Sequence, residues 1–363
     1  MDIQVYGRVS GFNYEHVATV DLWKSLIVTE YFQDVNTFEL TVKYSQTNAN
    51  LYVPETLIEI RNVLYYVNDA RVDDLETSEL KVSGKSLMAK SYDRVIDKNY
   101  AKTDKPEVIA ANLFNSYVSN SAPAARRFDY LKMPTVNTFS SSSVIYQNSY
   151  GVVGTELATF MDSYNFGVVE KKSEDGISNV VEFVQGHDYS GWVEISTDYE
   201  NLEKAGYENS TTDFKSFAIT LGEGENSARV RVDFTNDSTT PTGIERREVY
   251  VDARDLQKTD STTNVTMTDA QYIQALKDRA KTKLADQQRI LSLSGELVVS
   301  SEMFVLGRDF GLGDTVKIRS SLFNVSNTAM ITAMKYTYDY TGEYVEPTFG
   351  KQSPTVFDIL KRK

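Results

Sequence analysis

The sequence predicts a mainly β chain with α+β insertions, organised as two related small β-barrels plus α+β insertion domains. Three observations lead there. Apolar and polar residues alternate strictly over Thr37–Lys43, with Phe38, Leu40 and Val42 on one side and Thr37, Glu39, Thr41 and Lys43 on the other, the period of a strand with one buried face. Aromatic residues make up 12% of the chain, with 23 Tyr and 17 Phe, and together with many Val, Thr and Ser they favour strands over helices. Two distant segments also share a pattern: residues 58–67 lie over residues 316–325 without a gap, so that Ile60, Arg61, Leu64 and Val67 face Ile318, Arg319, Leu322 and Val325. One inserted residue later, Asn68, Ala70, Val72 and Leu75 face Asn327, Ala329, Ile331 and Met334. Strand–turn–strand patterns also resemble each other by chance; a true duplication would place one β module near each end.

Taken in order, alternation predicts strands over 1–6, 25–32, 37–43, 57–60, 64–67, 70–75 and 79–82, enough for one small barrel or sandwich. Composition changes at 98–105. Asp104 is the expected N-cap of a helix with Pro106 and Glu107 in its first turn and an apolar stripe of Ile109, Leu113, Phe114 and Tyr117. A Ser/Asn/Thr-rich loop covers 135–143, Thr155 is expected to cap a short helix, and 166–170 returns as a strand. Further strands are expected at 180–185, 192–196, 216–221, 230–234 and 248–252, with polar loops at 236–243 and 258–264. Thr268 and Gln271 form a capping box that opens one long helix to about Ile290, with Ile273, Leu276, Ala280, Leu284 and Leu291 tracing its buried stripe. Residues 297–300 lead into a closing meander in which Gly311, Gly313 and Asp314 punctuate a turn and Val316 and Ile318 alternate with Lys317 and Arg319. The expected division is a first barrel at 1–98, an α+β insertion at 99–172, a second β-rich region at 173–265, the long helix at 266–295, the remainder of the second barrel at 296–352 and a tail at 353–363.

Composition excludes several chemistries. A chain of 363 residues without cysteine has no disulfide, thiolate metal site or cysteine nucleophile. Two histidines, His16 and His187, give imidazole chemistry little to work with. A net charge of −13 opposes binding to phosphate backbones, and the terminal Lys361-Arg-Lys363 is too short for a basic arm. No basic, apolar leader opens the chain, and no apolar run reaches the ~20 residues that span a bilayer, so synthesis in the cytoplasm without a membrane span is expected.

Motif-like stretches each have a plainer reading. Ser83-Gly84-Lys85-Ser86 looks like the end of a phosphate-binding loop, but the glycine required five residues before Gly84 is Glu79, so a structural turn is expected. Asp309-Phe310-Gly311 lacks the companion motifs of a kinase. His187, Asp188 and Ser190 crowd one glycine-bounded loop, whereas a triad needs its members presented in three dimensions. Asp233, Asn236 and Asp237 offer oxygen ligands without EF-hand spacing, and a solvated loop is expected there. His16 is expected at a surface or strand edge. Acidic residues are widespread, and the separation a glycosidase pair needs belongs to the fold, so the sequence singles out no such pair. No catalytic, cofactor-binding or metal-ligating residue is assigned, and no cofactor is expected.

Four passages together resemble the tail-hub proteins of long-tailed bacteriophages, the Gp37-like tail-associated hub family of siphophages, which is similar to the baseplate hub of contractile-tailed phages. They are 23–42, with its link at 33–36; 57–72; the run from Glu79 to Leu87 followed by Asp93-Arg94-Val95-Ile96; and Leu312-Gly313-Asp314-Thr315-Val316 with Pro347-Thr348-Phe349-Gly350. The resemblance spans about 20 to 350. It implies two similar β-barrels per chain and a homotrimer whose six barrels form a pseudo-hexameric ring at the virion tail tip, a non-enzymatic structural hub that closes the tail tube. Implied partners are the distal tail protein, the tail tube and tape-measure proteins, and receptor-binding or fibre proteins; DNA passes through without being bound. Many members of that family continue into a fibre or a cell-wall hydrolase, whereas this chain ends at Lys363, which favours a hub without lytic activity. The alternatives are a tail-associated cell-wall hydrolase, glycosidase or peptidase, or a carbohydrate-binding module that uses the many Tyr and Trp192.

Overall fold

The computed structural model describes residues 2–10, 13–74, 76, 78–133, 136–174, 176–259, 266–298 and 304–350. Met1, Leu75, Thr135, much of the 258–264 loop, residues 299–300 and the tail 353–363, about which the sequence raised expectations, lie outside the described residues.

The chain opens with β1 (Ile3–Ser10) and β2 (Asn13–Val20), then β3 (Ser25–Tyr31) and β4 (Thr37–Lys43), a one-and-a-half-turn helix α1 (Gln46–Leu51), and β5 (Leu57–Ile60), β6 (Val63–Arg71) and β7 (Glu79–Ser86). Pairing runs β3-β4-β7-β6-β5-β1-β2, antiparallel throughout. Alternation decides which core each side chain joins. Ile58, Ile60, Tyr65 and Val67 enter the main core, while Leu57, Leu64 and Tyr66 face the opposite way into a second one. β6 is therefore buried on both faces, which is why its five apolar residues run together without alternation.

The second core belongs to the first insertion: β8 (Tyr100–Asp104), α2 (Pro106–Tyr117), β9 (Leu131–Lys132), β10 (Val144–Asn148), α3 (Val153–Tyr164), β11 (Gly167–Lys172) and β12 (Asn179–Val184). These form a β10-β8 ribbon and a β11-β12-β9 sheet, and with α2 and α3 they share one core with the outward-facing side chains of β5 and β6. The helix starts differ from expectation. Asp104 ends β8, and the N-cap of α2 is Lys105, with Pro106 supplying the preset first-turn geometry. α3 begins at Val153, with Val152 at the N-cap position and no side-chain cap, so Thr155 sits inside its first turn.

The remainder comprises β13 (Glu194–Ser196), β14 (Leu202–Ser210), β15 (Phe217–Leu221), β16 (Arg231–Phe234), β17 (Glu248–Asp252), α4 (Asp269–Ala285), β18 (Ile290–Leu297), β19 (Thr315–Ser320), β20 (Val325–Asp339) and β21 (Gly342–Gly350). Strands β15–β17 and α4 form a second insertion, a small sheet in the order β16-β15-β17 with the helix on it. Thr268 and Gln271 make the expected capping box, but α4 ends at Ala285 and Ile290 already begins β18. Its buried face is Tyr272, Ala275, Leu276, Asp278, Ala280 and Leu284; Ile273 is 40% exposed and Leu291 lies in the strand.

The other strands pair in the order β14-β18-β21-β20-β19-β13. This is the same chain-ordered succession as β3-β4-β7-β6-β5-β1 of the first module. Each insertion falls at a connection: the first between β7 and β13, the second between β14 and β18. Two features break the equivalence. β13 lies parallel to β19 whereas β1 lies antiparallel to β5, and the β5–β6 turn has two residues whereas four separate β19 from β20. The gapless overlay of 58–67 on 316–325 therefore holds through Ile60 and Ile318, both buried, and slips after them: Leu64 is buried, while Leu322, its overlay partner, sits in the longer turn 81% exposed. The strands of both modules line one continuous core. β20 pairs with β19 over 325–330 and with β3 over 333–339, which joins the modules into a single 13-stranded sheet; no pairing among the described residues closes either one into a ring.

Candidate functional site

Three side-chain clusters fix the relations between these units. The first is the seam where β3 meets β20. The β5–β6 turn has Arg61 and Asn62 at φ of 51° and 60°, the left-handed pair of a hairpin turn. That conformation projects Arg61 across the seam. Its guanidinium lies 3.6 Å from the Tyr336 ring centroid, Nε donates to Glu30 Oε1 at 3.1 Å, and Nη1 donates to the Tyr338 hydroxyl at 2.8 Å. Burial opposes the charge on Arg61, but the Glu30 carboxylate and the tyrosine oxygens outweigh it and raise the guanidinium's pKa.

The second anchors the first insertion to its module. Asn179, fully buried at the start of β12, accepts from Leu64 N–H and donates to Leu64 C=O, each at 2.9 Å, and donates to Glu170 Oε1 at 2.6 Å. Glu170 also accepts from Met88 N–H at 3.0 Å. Burial pushes the Glu170 carboxyl up to about 7, against the opposing pull of its hydrogen-bond donors.

The third couples the two insertions. One edge of β10 pairs with β8; at the other, Asp278 and Arg279 of α4 stand in for a strand, Asp278 Oδ2 accepting from Ile145 N–H at 3.4 Å and Arg279 Nη2 donating to Gln147 C=O at 2.5 Å. Ile145 packs into the core of the second insertion.

The motif-like residues resolve into structural roles. Ser83 to Ser86 lie within β7, where a side chain on Gly84 would meet Tyr66 C=O at 2.0 Å, so its glycine permits a close strand approach. Ser190 donates both its hydroxyl (2.6 Å) and its N–H (2.9 Å) to Asp188, whereas the His187 ring faces Asp314 at 3.4 Å and stacks on Tyr189. The three residues do not form a nucleophile–base–carboxylate relay. Asp233 pairs with Arg231, and in the same loop Asp237 Oδ2 accepts from the Thr235 hydroxyl at 3.5 Å while the Asp237 N–H donates to that hydroxyl at 3.1 Å. Asp309 accepts from Val305 N–H and pairs with Arg308. His16 lies on the edge strand β2, its Nε2 2.8 Å from Gln4 Oε1. Among the described residues no three His, Cys, Asp or Glu side chains are grouped to hold a metal, and no helix is long and apolar enough to cross a membrane. Trp192, 54% exposed, continues an aromatic row through Tyr189 to one side and Phe304 to the other.

A family model described as Siphovirus ReqiPepy6 Gp37-like protein matches residues 3–351. The chain belongs to that family. It is thus a siphophage tail protein, as its resemblance implied. A search of curated proteins finds no match. Among solved structures, the tail protein from Neisseria meningitidis MC58 is similar at 15% identity and a TM-score of 0.54, over 96% of this chain and 97% of that one. The prophage tail protein gp18 from Listeria monocytogenes EGD-e has 15% identity and a TM-score of 0.54, over 100% and 98%. The 43 kDa tail protein of prophage MuSo2 from Shewanella oneidensis has 11% identity and a TM-score of 0.52, over 96% and 98%. At these identities the likeness is one of fold.

Proposed function

We propose that this tail protein is a structural hub of the tail tip, a homotrimer in which two β modules from each of three chains form a ring of six quasi-equivalent units. The observation that carries the reading is the repeated strand succession, β3-β4-β7-β6-β5-β1 in the first module and β14-β18-β21-β20-β19-β13 in the second. A chain with two such modules matches a six-fold tube on one side while keeping three-fold symmetry on the other. The Arg61 cluster and the shared core hold the two modules in one fixed relation, which a closed ring requires. Exposed apolar side chains at the loop ends, Leu22, Ile244 and Leu322, are available for contacts with neighbouring chains, and an obligate interface of this type buries more than about 2,000 Å². The ring would close the tail tube and join the distal tail protein to the receptor-binding or fibre proteins, without enzymatic action. In that setting the net charge of −13 would let carboxylates facing the bore repel passing DNA.

Cryo-electron microscopy of intact virions, with the chain located by a small insertion in the exposed 236–240 loop, tests the reading. Three copies in one ring at the tail tip are expected. A position along the tube wall, or a copy number of six, would overturn it. A cell-wall zymogram with a cleared band would overturn the non-enzymatic part.

A further inference from the structure

Between the two insertions, where α3, β10, β17 and α4 meet, lies a cleft of about 340 Å³. That is within the size range of small-ligand sites, about 300–1,000 Å³. Its ionised lining is Glu156, Asp252, Asp278 and Asp286 against Arg279 and Lys283; Asp252 is paired with Arg229 and Arg254, and the other three carboxylates leave the lining acidic. Arg279 is already engaged by Asp255 at 2.9 Å and by Gln147 C=O. Tyrosine rings complete the walls.

Two groups in this lining lack the partner their burial calls for. Asp278 is 9% exposed, and its carboxylate accepts only neutral donors, Gln274 Nε2 at 3.0 Å and Ile145 N–H at 3.4 Å, with no ion pair among the described residues. Lys281, whose field it feels, holds its ammonium 4.4 Å over the Tyr164 ring. Gln147, 2% exposed, gives its amide N–H to Asn99, while its Oε1 is buried with no hydrogen-bond partner among the described residues. Buried carboxylates are ordinarily paired and buried amide oxygens ordinarily bonded. Each group would be satisfied by a donor-rich cation, and aromatic walls add cation–π attraction.

We propose that this cleft binds an alkylammonium group. Asp278 supplies the counter-charge, Gln147 Oε1 a neutral acceptor, and the tyrosine faces the flanking attraction. The chemistry suits a free aliphatic diamine or the lysine side chain of a neighbouring polypeptide.

Calorimetric titration of the full chain with 1,4-diaminobutane, with Nα-acetyl-lysine N-methylamide and with 1-butanol decides it. Saturable binding of one or both amines, with Kd tighter than about 1 mM, and none of butanol is expected. Binding of the diamine alone indicates a free polyamine; comparable binding of the lysine amide indicates a side chain. Asp278→Asn should weaken binding about tenfold or more, the loss of one charge-assisted hydrogen bond. Thr159→Lys, on the opposite wall, should abolish it by supplying a resident ammonium. Thermal melting establishes that both variants are folded. No saturable binding to the wild type, undiminished binding in either folded variant, or butanol binding equal to that of the amines would overturn the proposal, because diffuse attraction to an acidic chain predicts those results.

Discussion

The guanidinium of Arg61 lies 3.6 Å over the ring of Tyr336, although the two residues belong to different modules. Arg61 sits at the tip of the β5–β6 hairpin in a left-handed conformation, φ 51°. A non-glycine residue pays about 1–2 kcal/mol for that backbone. The contact with Tyr336, the Glu30 ion pair and the Tyr338 hydrogen bond offset it, so the turn and the seam stabilise each other.

This balance separates two substitutions. Arg61→Ala keeps the backbone strain and loses the guanidinium contacts, leaving the half-buried Glu30 without its cation. Destabilisation of about 2–3 kcal/mol is expected from the charged hydrogen bonds and the cation–π contact together. Arg61→Gly loses the same contacts but relieves the strained φ, so it should be about 1 kcal/mol less destabilising than the alanine variant. Urea unfolding of both proteins measures the difference; equal stabilities would mean that the turn is not strained.

Glu170 makes stability depend on pH in an unusual direction. Its carboxyl is pushed up to about 7 in the folded protein by burial, above its value in an unfolded chain. Below the unfolded value both states are protonated and the full stability is present. As pH rises towards 7 the unfolded state ionises first, so this group's contribution falls by about 1.4 kcal/mol per pH unit and then levels off. Asp278, also raised by burial, acts in the same direction, so the comparison must isolate Glu170. Glu170→Gln should be about 3 kcal/mol more stable than wild type at pH 8 relative to their difference at pH 4. Urea midpoints at the two pH values provide the test, and parallel curves would refute it.

The sequence made the strands with a single buried face legible. Thr37–Lys43 alternates strictly because one side of β4 packs on the core and the other does not. β2 and β14 were missed because they are edge strands with few buried residues, and polar sequences such as Leu202–Ser210 carry no apolar period. The internal likeness was visible at Ile60 and Ile318, where both strands point into the same core, and misleading beyond them because turn length is independent of the strand pattern. None of the three coupling clusters could be read from sequence. Arg61 and Tyr336 are remote in the chain, and the buried position of Glu170 depends on an insertion folding back over β6 and β7.

Asn179 is expected to be the single most important polar side chain for docking the first insertion. Its amide satisfies both the N–H and the C=O of Leu64, so Asn179→Ala leaves three buried groups short of a partner, counting Glu170. A loss of about 3 kcal/mol or more is expected. Hydrogen exchange gives the local readout. The Leu64 amide should lose protection by a larger factor than amides of β4, and uniform loss across both would show that the insertion and the module unfold together.

Gly84 distinguishes a phosphate loop from a packing device. In a phosphate-binding loop the glycine frees backbone N–H groups for an anion. Here Gly84 is paired in the middle of β7, opposite Phe38 on one side and Val67 on the other, and a methyl group would fall 2.0 Å from Tyr66 C=O and 2.5 Å from the Phe38 ring. The carbonyl belongs to a paired strand and cannot move without breaking the ladder, so Gly84→Ala should cost more than about 3 kcal/mol or prevent folding. Lys85→Ala, by contrast, removes the side chain a phosphate site would need most and should be far less destabilising than Gly84→Ala. Thermal melts of the two variants, with and without ATP, separate the readings: a nucleotide-dependent rise in Tm that is lost in Lys85→Ala would establish the phosphate site and refute the packing account.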